Sequence, residues 1–160
     1  MSEYKDNLFS DERLPKFVLI TFMETSQING DYSKYCSAFA HKYVKSITLT
    51  RNMDYRETYT MDFEKSDYTE AYMQSIIRNL GFLNSNQNNG ITLKDFNERY
   101  PFFTFVLAPD FSIEQTQLPK TGNLKLDIKF GKALEVPLTL IAYGLFDSEI
   151  QISKIGTVFL

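Results

Sequence analysis

The sequence predicts an all-β fold, two packed antiparallel sheets in a sandwich or jelly roll, and three observations predict it. About seven strand-like runs are separated by clusters of Gly, Pro, Asn and Asp. Aromatic residues make up 15% of the chain, 14 Phe and 10 Tyr with no Trp, a composition suited to pleated, half-buried surfaces. Only one excursion is helical, whereas a parallel sheet needs a helical crossover between most successive strands.

Taken in order, residues 1–14 read as an N-terminal tail of one domain spanning 1–160. Three runs follow, "KFVLITFME", "YVKSITLTRN" and "DYRETYTMDF". A helical insertion occupies about 66–98. Within "DYTEAYMQSIIRNLG", Asp67 and Glu70 have capping-box spacing, Tyr68, Ala71, Tyr72, Ile76 and Leu80 recur at helical spacing, and Gly81 is placed to end the helix. A second helical turn is expected after Thr92, paired with Asp95, and Pro101 stops it. The runs "YPFFTFVLAP", "GNLKLDIKF", "VPLTLIAYGLF" and "SEIQISKI" complete the strands. In "TGNLKLDIKF", Leu124, Leu126, Ile128 and Phe130 alternate with Lys125, Asp127 and Lys129, so one face is expected in the core and the other in water.

Charge narrows the function. Seventeen basic and twenty acidic residues give a net charge of −3, with no strongly basic patch, which argues against sequence-independent nucleic-acid binding. The single cysteine, Cys36, has no partner for an internal disulfide, and "MSEYKDNLF" has neither the basic start nor the apolar run of a secretion signal. The expectation is an intracellular protein, in cytoplasm or nucleus. The longest apolar run falls far short of the roughly 20 residues that span a bilayer, and Thr139 interrupts it, so the chain is expected to be soluble.

No stretch carries a catalytic or metal-binding constellation. "NSNQNNGITLKDF" resembles a calcium loop only through Gly90. Ser85, Gln87 and Asn89 stand where carboxylates belong, and Phe96 stands where the bidentate Glu belongs. His41 is the only histidine, five residues from Cys36, and a thiolate nucleophile there lacks an orienting third group, so a packed thiol and a packed ring are the better reading. Asp62, Glu64, Asp67 and Glu70 cluster where a strand ends and a helix begins, a place where capping and the helix dipole favour acids without any chemistry. No cofactor or metal is expected. A cupin-like enzyme would need several histidines.

Read together, "INGDYSKYCSAFAH", "ITLKDFNERYPFFTFVLAPDF", "KTGNLKLDIKFGKAL" and "LTLIAYGLFDSEIQI" resemble the C-terminal part of the double jelly-roll major capsid proteins of Maverick/Polinton elements, relatives of adintoviruses. The resemblance runs from about Leu8 to Ile155. Its signatures fall on Asn29 and Gly30, Pro109 and Asp110, Gly122 and Asn123, and Tyr143, Phe146 and Asp147, which are structural rather than catalytic positions. The chain departs from the family at Tyr35, Cys36 and Ser37, where Asn-Pro-Phe is usual, and at Val106 and Leu145, where acidic residues stand.

The resemblance implies a single jelly roll lacking its first strand, since Met1 falls after that strand, with one amphipathic helix inserted. It implies a non-enzymatic structural protein of a virus-like DNA transposon, or one derived from it. Such a protein acts by self-association or by binding a related capsid-like chain, inside the cell or in a virion if the element is active. Neither membrane binding nor sequence-specific nucleic-acid binding is expected, and the residues assign no interface. The alternative is a ligand-binding sandwich for a carbohydrate or peptide, in which Tyr55 and Tyr59 of "NMDYRETY" stack on sugars, although both also suit a plain cross-strand row.

Overall fold

The computed structural model describes residues 2–9, 13–33, 35, 39–52, 54–79, 90–108, 121–147, 151–152 and 158–159. Two antiparallel sheets face each other. One has the order β1 (Glu3–Leu8), β6 (Leu124–Phe130), β3 (Val44–Arg51), β4 (Tyr55–Thr60), and the other β5 (Phe103–Val106), β2 (Phe17–Glu24), β7 (Leu138–Leu145). A short pair, β8 (Gln151–Ile152) with β9 (Val158–Phe159), stands as a third sheet, so "SEIQISKI" supplies only a two-residue strand. The expected all-β antiparallel sandwich is what forms.

The alternation of β6 does what period two requires. Leu124, Leu126, Ile128 and Phe130 join the core with Ile47 and Leu49 of β3 and Val18, Ile20 and Phe22 of β2, while Lys125 and Lys129 are exposed. Full burial of each such side chain is worth roughly 1.5–3 kcal/mol. The charged row is occupied too. Lys5 of β1 lies directly across from Asp127, with 3.5 Å between the charged atoms, and Glu3 across from Lys129, at 4.0 Å. Opposite charges in register hold the edge strand against β6.

Strand β1 corrects the expectation of a tail over residues 1–14. Only Tyr4 and Leu8 of "EYKDNL" are apolar on the inward side, and Asp6 between them breaks the alternation. Six consecutive residue pairs nonetheless bind it to β6, because the free edge of a buried strand accepts whatever extended segment reaches it.

The helical insertion is corrected at its start. Asp67 exchanges backbone hydrogen bonds with Asp62, at 2.7 and 2.9 Å, in an isolated antiparallel bridge, and a residue in that geometry does not cap a helix. Helix α2 begins at Thr69, with Tyr68 as its N-cap, and at Tyr72 it widens into a π-helical turn, Met73–Arg78. Ala71 and Ile76 are buried, as the helical spacing requires, whereas Leu80 and Gly81 lie outside the described residues. Helix α3 (Leu93–Glu98) keeps its expected cap: Thr92 Oγ1 accepts from the Asp95 N–H, and the Asp95 carboxylate accepts from the Thr92 N–H, both at 3.1 Å. A further helical turn, α1 (Thr25–Ile28), closes β2 and was not foreseen.

Candidate functional site

Among the described residues, one side of the sandwich is closed and the other is open. On the closed side the outer edge of β5 meets α2's π-helical turn and β4. The Thr104 carbonyl accepts from the Tyr59 hydroxyl and from Asn79 Nδ2, both at 2.6 Å, and Asn79 Nδ2 also lies 2.9 Å from the Tyr59 hydroxyl oxygen. Thr104 Oγ1 donates to the Ser75 carbonyl, and Arg51 Nη1 of β3 donates to the Leu107 carbonyl at 2.9 Å. Burial first, and then the Glu57 carboxylate, pushes the Tyr59 hydroxyl far above its usual pKa, so it remains a donor. The carbonyls along the outer edge of β5 are therefore engaged by side chains.

The open side lies between β7 and β1. The Thr25 N–H donates to the Pro137 carbonyl, and the register running from Glu24↔Leu138 to Phe17↔Leu145 carries that phase along the strand. Because antiparallel pairs alternate, the peptide groups of Leu138, Leu140, Ala142 and Gly144 point away from β2. Among the described residues no strand pairs with that edge. Beneath it a cleft of about 470 Å³ reaches in between the sheets, lined by Tyr4 and Leu8 of β1, Phe130 of β6, and Leu138, Leu140 and Ala142 of β7. Phe103–Val106 is buried at every position, while the whole of Leu138–Leu145 retains solvent contact.

The positions singled out in the sequence fall in different places. Tyr143, 57% exposed, projects from the outer face of β7. Phe146 stacks edge-on against Phe9, with centroids 5.5 Å apart, and Asp147 accepts from Lys16 at 2.7 Å, so this signature ends β7 beside the open edge. Gly144 lies under that ring pair, where an added Cβ would come within 2.9 Å of Phe146 and 3.0 Å of Phe9. Asn29 caps α1 and Gly30 follows at φ +86°, a turn after a helical turn rather than directly after a strand. Gly122 and Asn123 enter β6 against Asn52, whose Oδ1 accepts from the Asn123 N–H at 2.7 Å. Pro109, Asp110, Cys36 and Ser37 lie outside the described residues, as do Ser85, Gln87 and Asn89.

The four acids do not converge. Asp62 accepts from the Glu64 and Lys65 N–H groups, Glu64 pairs with Lys132, and Glu70 accepts from Gln74 at 3.2 Å. Among the described residues no three His, Cys, Asp or Glu side chains are grouped to hold a metal. His41 stacks on Phe63 at 3.8 Å, its Nδ1 accepts from the Tyr43 N–H, and burial lowers its pKa to about 4. Tyr59 is buried, and the Tyr55 hydroxyl donates to Glu57, so neither ring is displayed for stacking. Val106 and Leu145 flank Phe17 from its two neighbouring strands and form with it a small apolar cluster on the outer face. Among the described residues no helix is long and apolar enough to cross a membrane.

The sequence carried no signal for the cleft, since Tyr4 and Leu8 sit in a charged hexapeptide and β7 reads as an ordinary core strand. Compared with protein-family models, curated proteins and solved structures, the chain matches none.

Proposed function

We propose that this chain is a non-enzymatic structural protein, a capsid-like jelly-roll domain that works by associating with copies of itself or with a related capsid-like chain. In this reading it derives from, or serves, a virus-like DNA transposon. The strand order supports it. In a jelly roll the first, eighth, third and sixth strands along the chain make one sheet, and the second, seventh, fourth and fifth make the other. With one strand added ahead of β1, the orders β5-β2-β7 and β1-β6-β3-β4 take those places, and the vacant position lies beside β7. An edge left without its neighbour presents unpaired backbone groups to other chains.

The same edge favours a second reading, a peptide-binding sandwich that recruits an extended ligand by strand addition. A carbohydrate platform has less support, because Tyr55 and Tyr59 are engaged within the fold. Sedimentation velocity and negative-stain electron microscopy across a concentration series separate the two. Association that grows with concentration is the expected result. A monomer throughout, with saturable binding of an extended peptide, would overturn self-assembly in favour of the peptide reading.

A further inference from the structure

We infer that the free edge of β7 pairs antiparallel with β7 of a second copy, about a twofold axis at Ile141, so that two three-stranded sheets become one of six. The inference rests on the proposed self-association and names the surface that carries it. Charge selects the occupant. Among the described strands longer than two residues, only β5 and β7 contain no charged side chain, and the edge of β5 is already capped by Tyr59 and Asn79. A strand laid along the cleft must be uncharged on its inward side, or it would bury a charge against Leu140 and Phe130. The second copy's β7 meets that condition.

Shape selects the register. The inward residues of β7 run from large to small, Leu138 and Leu140 and then Ala142 and Gly144. Antiparallel self-pairing about Ile141 sets Leu140 opposite Ala142 of the second copy, large against small, on both sides of the axis, while Leu138 falls opposite Gly144, whose inward side Phe9 and Phe146 of the same chain already cover. These same four residues of β7 carry the outward peptide groups, so every hydrogen-bonding pair in this register is matched. The twofold axis stands perpendicular to the joined sheet and keeps both β1 strands in the same layer. The two clefts then face each other and their apolar linings close into one core. In the single chain Glu3, Lys5 and Asp6 of β1 are exposed; Glu3 and Lys5 point away from the cleft, and Asp6, between Tyr4 and Leu8, accepts from the Tyr4 hydroxyl at 2.7 Å.

Sedimentation velocity on the full chain, with two variants, tests this. In Ala142→Pro the lost N–H faces the free edge, so the fold keeps its bonds to β2 while the dimer loses pairs on both sides of the axis. The expected result is an unchanged far-ultraviolet spectrum with half-association moved to about tenfold higher concentration or beyond. In Cys36→Ser/Ile141→Cys, mild oxidation should give a reducible covalent dimer, because the Ile141 pair lies at a non-hydrogen-bonded site with Cα atoms about 4.5 Å apart, within disulfide reach. The same background with Lys125→Cys should stay uncrosslinked. If the unaltered chain associates but Ala142→Pro associates equally and Ile141→Cys does not crosslink, the β7 pairing is overturned while self-association stands. If the unaltered chain is monomeric at every concentration, the self-association reading itself fails. A monomer whose Leu138, Leu140, Ala142 and Gly144 amides, the ones that point away from β2, are protected from exchange means that the edge is covered within the chain, which also overturns the pairing.

Discussion

Leu126 concentrates the residue-scale argument, because it is 0% exposed and has strand neighbours on both sides, Leu49 of β3 and Asp6 of β1. Leu126→Ala should cost about 2–5 kcal/mol through lost burial and the cavity left behind. Leu126→Asp should abolish the cooperative thermal transition, since an unpaired charge enters the core. The Lys125→Glu/Lys129→Glu double variant should still melt cooperatively, with a modest loss from setting a second carboxylate across from Glu3. If that ordering were reversed in circular-dichroism melts, the register of β6 would be inverted. His41 gives a pH prediction. Its ring is held neutral in the fold, with a pKa near 4 against an ordinary value near 6.5, because burial and then the Lys42 charge disfavour the cation. The unfolded chain therefore binds a proton first as pH falls, so stability is full above about 6.5 and declines toward about 4. The loss should be roughly 1–2 kcal/mol once solvent screening of a half-buried ring is allowed for. Melting temperature against pH should show this slope in the unaltered chain and not in His41→Phe.

Elements hold one another at their edges, and β5 and β1, an edge strand of each sheet, are held in different ways. At β5 the work is done by Asn79, which α2's π-helical turn delivers to the Thr104 carbonyl and the Tyr59 hydroxyl. Asn79→Ala should destabilise by about 1–3 kcal/mol, the cost of removing a buried hydrogen-bonding group. Tyr59→Phe in the same background should add less than it does alone, because both groups serve one carbonyl. A strictly additive double-mutant cycle in urea would show that the two act separately. The β1 edge relies on Tyr4, Leu8 and the ion pairs to Asp127 and Lys129 instead.

For the whole molecule, the asymmetry between a capped side and an open side matters more than the strand count. The closed side joins both sheets through Tyr59, Asn79 and Arg51, while the open side leaves a cleft of about 470 Å³ under an uncharged edge. Removing residues 1–8 should widen that cleft and bare the edge of β6. The expected loss is roughly 2–4 kcal/mol from the partial burial of Tyr4 and Leu8, together with increased aggregation on heating. Equal stability of the shortened chain in urea titration would mean that β1 adds nothing to the fold.

What the sequence determined by itself was what depends on near neighbours. The alternation of Leu124 to Phe130 states which face is buried, because side chains on a strand point to opposite faces at every step. Thr92 and Asp95 state where a helix begins, because a capping box closes over three residues. Tyr143, Phe146 and Asp147 were singled out without a role, and the structure sets them at the end of β7, beside the open edge. Only the tertiary structure decided the rest. Glu3 pairs with Lys129 across most of the chain, and no local pattern marks "EYKDNL" as a strand until β6 offers its edge. Asp67 has the spacing of a cap but gives its backbone to Asp62, a competing partner that spacing does not reveal. The cleft exists because Tyr4 and Leu8 come to face Leu138, Leu140 and Ala142, and whether an apolar strand is buried or left open depends on which distant segment reaches its edge.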